Sequence, residues 1–167
     1  MKITDYCPRA APFDSYLRGR DLVGAEIGVD VGAHAEAMLK HADIAMLHLV
    51  DPWPNPYCRG YCEGRLSVLG FRQRIAMNRA TSLDAARQLA GVPLDFVYID
   101  QEHIGDSVAA ALAAWWPLVK PGGVLGYRNY TEAKNPLTVA VDRFTAGQGS
   151  RLVPHVETGE IVLVKAC

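Results

Sequence analysis

The chain has 167 residues, half of them hydrophobic, with 17 basic against 18 acidic side chains and a formal net charge of −1. That length and apolar content suit one folded domain and exclude a disordered chain. No basic block grips a phosphate backbone, no uncharged run is long enough to span a bilayer, and MKITDYCPRA lacks a signal peptide's apolar core. The expectation is a cytoplasmic protein with neither nucleic acid nor membrane as partner.

In chain order, VGAEIGV (residues 23–29) predicts a buried strand and AHAEAMLKHA (33–42) a helix. AMLHLVD (45–51) is the next strand. A loop rich in Pro, Gly and Cys (52–64) follows, then a helix over RLSVLGFRQR (65–74) and a short strand IAMNRA (75–80). SLDAARQLA has helical periodicity, with Ser82 as its N-cap. LDFVYID (94–100) is an apolar run of the kind covered on both faces. IGDSVAAALAAWW predicts a helix, PLVKPGGVLGY a turn and a strand, and PLTVAVDRFTAG a helix with Pro near its start and Gly at its end. RLVPHVE and EIVLVKA are separated only by Thr158-Gly159, so they form a hairpin. Alternating strands and helices mean βαβ units and a parallel sheet, closed here by an antiparallel hairpin. Cys58 and Cys62 form a Cys-x3-Cys pair without the four ligands of structural zinc, and read as reduced thiols.

Ligands of open α/β sheets bind beyond the carboxyl ends of the strands. In EIGVDVGAHAE, Gly28 and Gly32 flank a strand-to-helix turn whose helix N-terminus offers N–H groups to an anion. Asp51 ends the second strand, where a carboxylate accepts from both hydroxyls of a ribose. Together they read as a nucleoside half-site; the plainer reading is a tight turn and a solvated acid. Asp30 occupies the second glycine position of the dinucleotide fingerprint and would repel a pyrophosphate. Asp30 and the hairpin disfavour an NAD-dependent oxidoreductase.

On the segments AEIGVDVGAHAEAML, LHLVDPW, ATSLDAA, LDFVYIDQEH and PLVKPGGVLGYRNY, the chain resembles the class I S-adenosylmethionine-dependent methyltransferases. It is most similar to a compact bacterial small-molecule group with an Ile-Asp-Gly-x-His loop after the fourth strand. The resemblance implies a Rossmann-like three-layer α/β/α fold, a mostly parallel seven-stranded sheet with an antiparallel terminal hairpin strand. It implies a single domain over residues 1–167, with a short N-terminal segment (1–22) and a candidate lid loop (52–65). The implied cofactor is S-adenosyl-L-methionine and the partner a small-molecule acceptor. Glu26, Gly28 and Gly32 would line the methionine end and Asp51 would hold the ribose hydroxyls. Pro52 and Trp53 would border the sugar or adenine, Ser82 and Leu83 would flank the adenine, and Asp100 would face the sulfonium.

Some relatives hold magnesium with the acid after strand four and an Asp-Asn pair after strand five. Those positions here are Asp100, Arg128 and Asn129. A guanidinium repels a hard dication, so a metal-independent enzyme is expected, with Arg128 holding an acceptor carboxylate or a developing oxyanion. A retained cation would use Asp100, Asn129 and Glu102. His103 is the candidate general base, the alternative being a helix-capping or loop-packing role. Gln101 replaces the family's glycine, which keeps open a degenerate binding protein on the same fold. An O-directed methyltransferase is the leading reading, the alternative being a nitrogen acceptor, which needs less help from a base. The short N-terminal segment leaves room for a homo-oligomer whose second subunit completes the acceptor pocket.

Other residues carry weaker expectations. His34 either touches the cofactor carboxylate or faces water, while His41, His48 and His155 read as surface or packing residues. One of Trp115 and Trp116 fills the core and the other an interface. Trp53, Tyr57, Arg59 and Tyr61 belong to the acceptor-facing lid, and Tyr127 and Tyr130 to the same pocket.

Overall fold

The computed structural model describes residues 12–101, 106–128, 136–146, 150–155 and 158–167. After a 3₁₀ turn at Pro12–Tyr16 the elements run β1 (Leu22–Ile27), α1 (Ala33–His41), β2 (Ile44–Asp51), α2 (Pro56–Val68), β3 (Ile75–Arg79) and α3 (Ser82–Gln88). They continue with β4 (Leu94–Ile99), α4 (Asp106–Trp115), β5 (Val119–Arg128), α5 (Pro136–Ala146), β6 (Arg151–His155) and β7 (Glu160–Val164). The sheet order is β3-β2-β1-β4-β5-β7-β6. β1 to β5 are mutually parallel, and β7 runs antiparallel to both β5 and β6. The expected α/β architecture with a reversed hairpin strand therefore holds.

The central strands are apolar because both of their faces are covered. Val97 and Ile99 of β4 join Leu112, Trp115 and Val141 of α4 and α5 in one core cluster. Phe96 and Tyr98 face the other way, into a cluster with Met38 of α1, Leu66 of α2 and Phe13. Phe13, from the N-terminal turn, lies 4.9 Å from the Tyr98 ring. It fits there because position 126 is glycine: a Cβ would come within 2.4 Å of the Phe13 ring.

Four local expectations are corrected. Residues 52–65 are not a loop through most of their length, because α2 begins at Pro56. Asn55 caps that helix by accepting the Tyr57 N–H at 3.1 Å, and proline sits in its first turn, where a missing N–H costs nothing. Gly60 and Gly64 lower its intrinsic propensity by about 1 kcal/mol each. Burial of Cys62 and Leu66, one turn apart, compensates. The helix ends at Val68, and Arg72–Arg74 form a separate 3₁₀ turn. The N-cap of α3 is Thr81, not Ser82: its Oγ1 accepts the Asp84 N–H. Trp115 and Trp116 are both buried in the core cluster, neither at a surface.

Candidate active site

The turn after β1 is shaped by close approach of neighbouring strands. The Gly28 N–H donates to the Val50 carbonyl at 2.9 Å, and the Asp100 N–H donates to the Ile27 carbonyl at 2.8 Å. A Cβ at Gly28 would lie 2.1 Å from the Asp100 carbonyl oxygen, and its φ of +88° is left-handed, so only glycine fits. Gly32 caps α1 at φ +74°, where a Cβ would meet the Cys62 sulfur at 2.5 Å.

Asp51 ties this turn to the next one. Its Oδ2 accepts the N–H groups of Val29 and Asp30, both at 3.0 Å, and its Oδ1 accepts that of Trp53 at 2.6 Å. Asp30 and Trp53 hold left-handed backbones, at φ +48° and +41°. The Trp53 indole N–H then donates to the Asp30 carbonyl at 2.9 Å. One carboxylate thus holds two strained turns against each other. A carboxylate has about four lone-pair sites, so Asp51 keeps one on Oδ1 for a ligand hydroxyl.

These turns open onto a cleft of about 790 Å³ beyond the carboxyl ends of β1, β2 and β4. The structure brings together there Gly28, Asp51, Pro52, Trp53, Ser82, Leu83 and Asp100. Ser82 is buried, and its hydroxyl oxygen accepts from the Trp115 indole at 3.0 Å. Arg128 Nη1 donates to Asp100 Oδ2 at 2.7 Å.

Two expected residues stand behind the cleft instead of lining it. Gly32 is packed under Cys62. Glu26 is buried, and its Oε1 lies 3.1 Å from His34 Nδ1. His34 neither faces open water nor lines the cleft: Nε2 lies 3.4 Å from Asp14 Oδ1, and the ring sits 4.2 Å from that of Tyr98. Burial alone would lower the His34 pKa, but the Asp14 and Glu26 carboxylates overcome it and push it up to about 10. Burial pushes Glu26 up, and His34 pulls it back. The imidazole between the two carboxylates is therefore protonated at neutral pH, while burial leaves Glu26 raised on balance.

Tyr127 is also corrected: it is fully buried in the core rather than in the pocket. Tyr57 and Tyr61 are exposed and do not line the cleft. Glu102, His103, Asn129 and Tyr130 lie outside the described residues. Sequence reading assigned no cleft role to Cys58, Thr81, Ser107 or Ala110, which also line it. The small residues of SVAAALAA were a usable signal, since a helix face without bulk leaves room beside β4. Among the described residues no group of three or more His, Cys, Asp or Glu gathers as a metal site, and Cys58 and Cys62 are free thiols.

Residues 25–130, well over half of the chain, match the family described as "Methyltransferase domain". The chain belongs to that family. Among solved structures it is similar to an O-methyltransferase from Bacillus cereus in complex with SAH, at 14% identity and TM-score 0.65, covering 86% of this chain and 74% of that one. It is similar to cofactor-bound Rv0187 from MTB, at 20% identity and TM-score 0.65, with 87% and 73% covered. An O-methyltransferase family protein from Burkholderia thailandensis aligns at 15% identity and TM-score 0.67, over 90% of this chain and 52% of that one. No curated protein matches the chain in sequence.

Family and sheet order together make the protein a class I S-adenosylmethionine-dependent methyltransferase. The cleft suits such a cofactor. At Gly28 the wall is bare backbone where any side chain would collide, and Asp51 offers an acceptor at the end of β2. Among the described residues no Lys or Arg lines the cleft to attract a phosphate. No helix among the described residues is long and apolar enough to cross a membrane.

Proposed function

We propose that this methyltransferase acts on an oxygen of a small-molecule acceptor, without a metal, with the cofactor in the cleft around Gly28, Asp51 and Trp53. The observation that carries the metal-independent reading is the Arg128–Asp100 ion pair, 2.7 Å between Nη1 and Oδ2. A guanidinium bound to that carboxylate neutralises the acid a dication would need, and places beside it a fixed positive charge that repels one. The alternative ligand set, Asp100 with Glu102 and Asn129, would place a dication beside the Arg128 guanidinium on the same carboxylate.

The cofactor supplies an electrophilic methyl group on a cationic sulfur. The protein aligns an acceptor with it and removes the acceptor's proton. Gly28, Trp53 and Leu83 shape the nucleoside wall, and the remaining Oδ1 lone pair of Asp51 accepts one ribose hydroxyl. Arg128 anchors an anionic oxygen of the acceptor, and His103 takes the hydroxyl proton. Positioning of this kind can lower a barrier by several kcal/mol, and a placed base contributes about 10²–10⁴-fold. The O-methyltransferase relatives from Bacillus cereus and Burkholderia thailandensis favour oxygen as the accepting atom.

Methyl transfer from labelled cofactor to a panel of catechols, hydroxy acids, carboxylic acids and amines, with and without EDTA, tests this reading. Turnover of a hydroxyl or carboxylate acceptor, insensitive to EDTA, is expected, and a hydroxyl acceptor should be slowed at least 100-fold in His103→Ala, since a carboxylate carries no proton to remove. Loss of turnover in EDTA with rescue by magnesium would overturn metal independence, and an amine as sole acceptor would overturn O-direction.

A further inference from the structure

Asp30 stands where a backbone turn beside a nucleoside favours glycine. Its φ of +48° is the left-handed region, which aspartate adopts more readily than most L-residues but less readily than glycine. Its N–H is held by Asp51 and its carbonyl by the Trp53 indole, so the main chain has no freedom to relax. The side chain is exposed and lines the cleft. The cleft holds three carboxylates, of Asp30, Asp51 and Asp100, and no Lys or Arg among its described lining residues. The three are not equivalent. Asp51 is spent largely on three backbone N–H groups, and Asp100 is neutralised by Arg128. Asp30 meets the Cys58 thiol, whose pKa it raises by hydrogen bonding and by its charge. Its own charge therefore acts on the contents of the cleft. An acid at this point places a negative charge on the cleft wall that glycine could not supply.

We propose that Asp30 is a specificity-determining residue that makes the cleft distinguish the cationic methyl donor from its neutral thioether product. The inference rests on the cleft being the cofactor site. Donor and product share the adenosine and the amino-acid end and differ by one methyl group and one positive charge at sulfur. Shape separates them weakly; a carboxylate that attracts the sulfonium and is indifferent to the thioether separates them by charge. The consequence is loading of the donor and release of the spent product, hence less product inhibition.

The experiment is calorimetry on the full chain with S-adenosylmethionine and S-adenosylhomocysteine, for wild type, Asp30→Asn and Asp30→Gly. Asparagine keeps the size and tolerates the left-handed backbone, while glycine also removes the strain. Two unit charges about 4 Å apart in a water-filled cleft interact by the equivalent of roughly fivefold in affinity. Both variants should lower the donor-to-product affinity ratio by about fivefold, mainly through weaker donor binding. The wild-type ratio should also shrink toward the variants' value as salt rises from about 0.05 to 0.5 M. An unchanged ratio in both variants, with both ligands still bound, overturns the role of Asp30 alone. Failure of wild type to bind either ligand overturns the reading of the cleft as well.

Discussion

Replacing Asp51 with alanine removes the acceptor for the N–H groups of Val29, Asp30 and Trp53 at once. Hydrogen bonds to a charged group contribute about 1.5–3 kcal/mol each, and a buried donor left unpaired loses a similar amount. Asp51 borders an open cleft, so water can reach some of these donors, and the three losses will not add fully. The positive φ values of Asp30 and Trp53 work in the other direction, because without the clamp both turns can relax and reshape the cleft. We expect a loss of about 3 kcal/mol. In a chain of this size that is a fall in Tm of roughly 10 °C. Affinity for S-adenosylmethionine should fall at least tenfold, since the ribose acceptor and the wall move together. Asp51→Asn keeps one acceptor oxygen and should lose less on both counts. Thermal unfolding followed by calorimetric titration of each variant is the assay. An alanine variant that melts within about 2 °C of wild type and binds the cofactor equally well would refute this account of the turn.

Gly28→Ala places a Cβ against the Asp100 carbonyl at a left-handed φ, and should cost about 3 kcal/mol or more in urea unfolding, or yield insoluble protein. Gly60→Ala and Gly64→Ala open onto empty space inside α2, so each should raise stability by about 0.5–1 kcal/mol; a decrease on thermal unfolding would mean that the segment is not helical. The His34 imidazole, raised to about 10 from an ordinary 6.5, stabilises the fold fully below pH 6.5, and that contribution is lost as pH rises toward 10. The urea midpoint of wild type should fall across that window, and His34→Gln should remove that part of the slope; equal slopes would count against the ion pair. Arg128→Met disrupts a half-exposed pair and should change stability by no more than about 1 kcal/mol, while turnover falls at least tenfold. Unchanged kcat/KM would remove Arg128 from the site.

Local pattern made most of the architecture legible. Apolar runs such as Phe96–Ile99 identify strands covered on both faces because alternate side chains feed the two core clusters. The short connection before β7 announces the hairpin because it leaves no room for a crossover, although His155 pairs with Glu160, so four residues separate the strands instead of the expected Thr158-Gly159 pair. Gly28 and Asp51 were visible because strand ends carry the ligand site in such sheets. Helix α2 was hidden, since Gly60 and Gly64 oppose a helix locally and only the burial of Cys62 and Leu66 outweighs them. The partners of His34 were out of reach for a related reason: Asp14 is 20 residues before it and Glu26 lies across a turn, so only folding brings the three together. Periodicity determined the strands, the helices and the reversed hairpin, because these follow from short-range burial, and the ligand end follows from the way open parallel sheets bind beyond their carboxyl ends. Tertiary structure alone decided that Asp51 clamps two turns and that Arg128 reaches Asp100, because those contacts join segments that no sequence spacing relates.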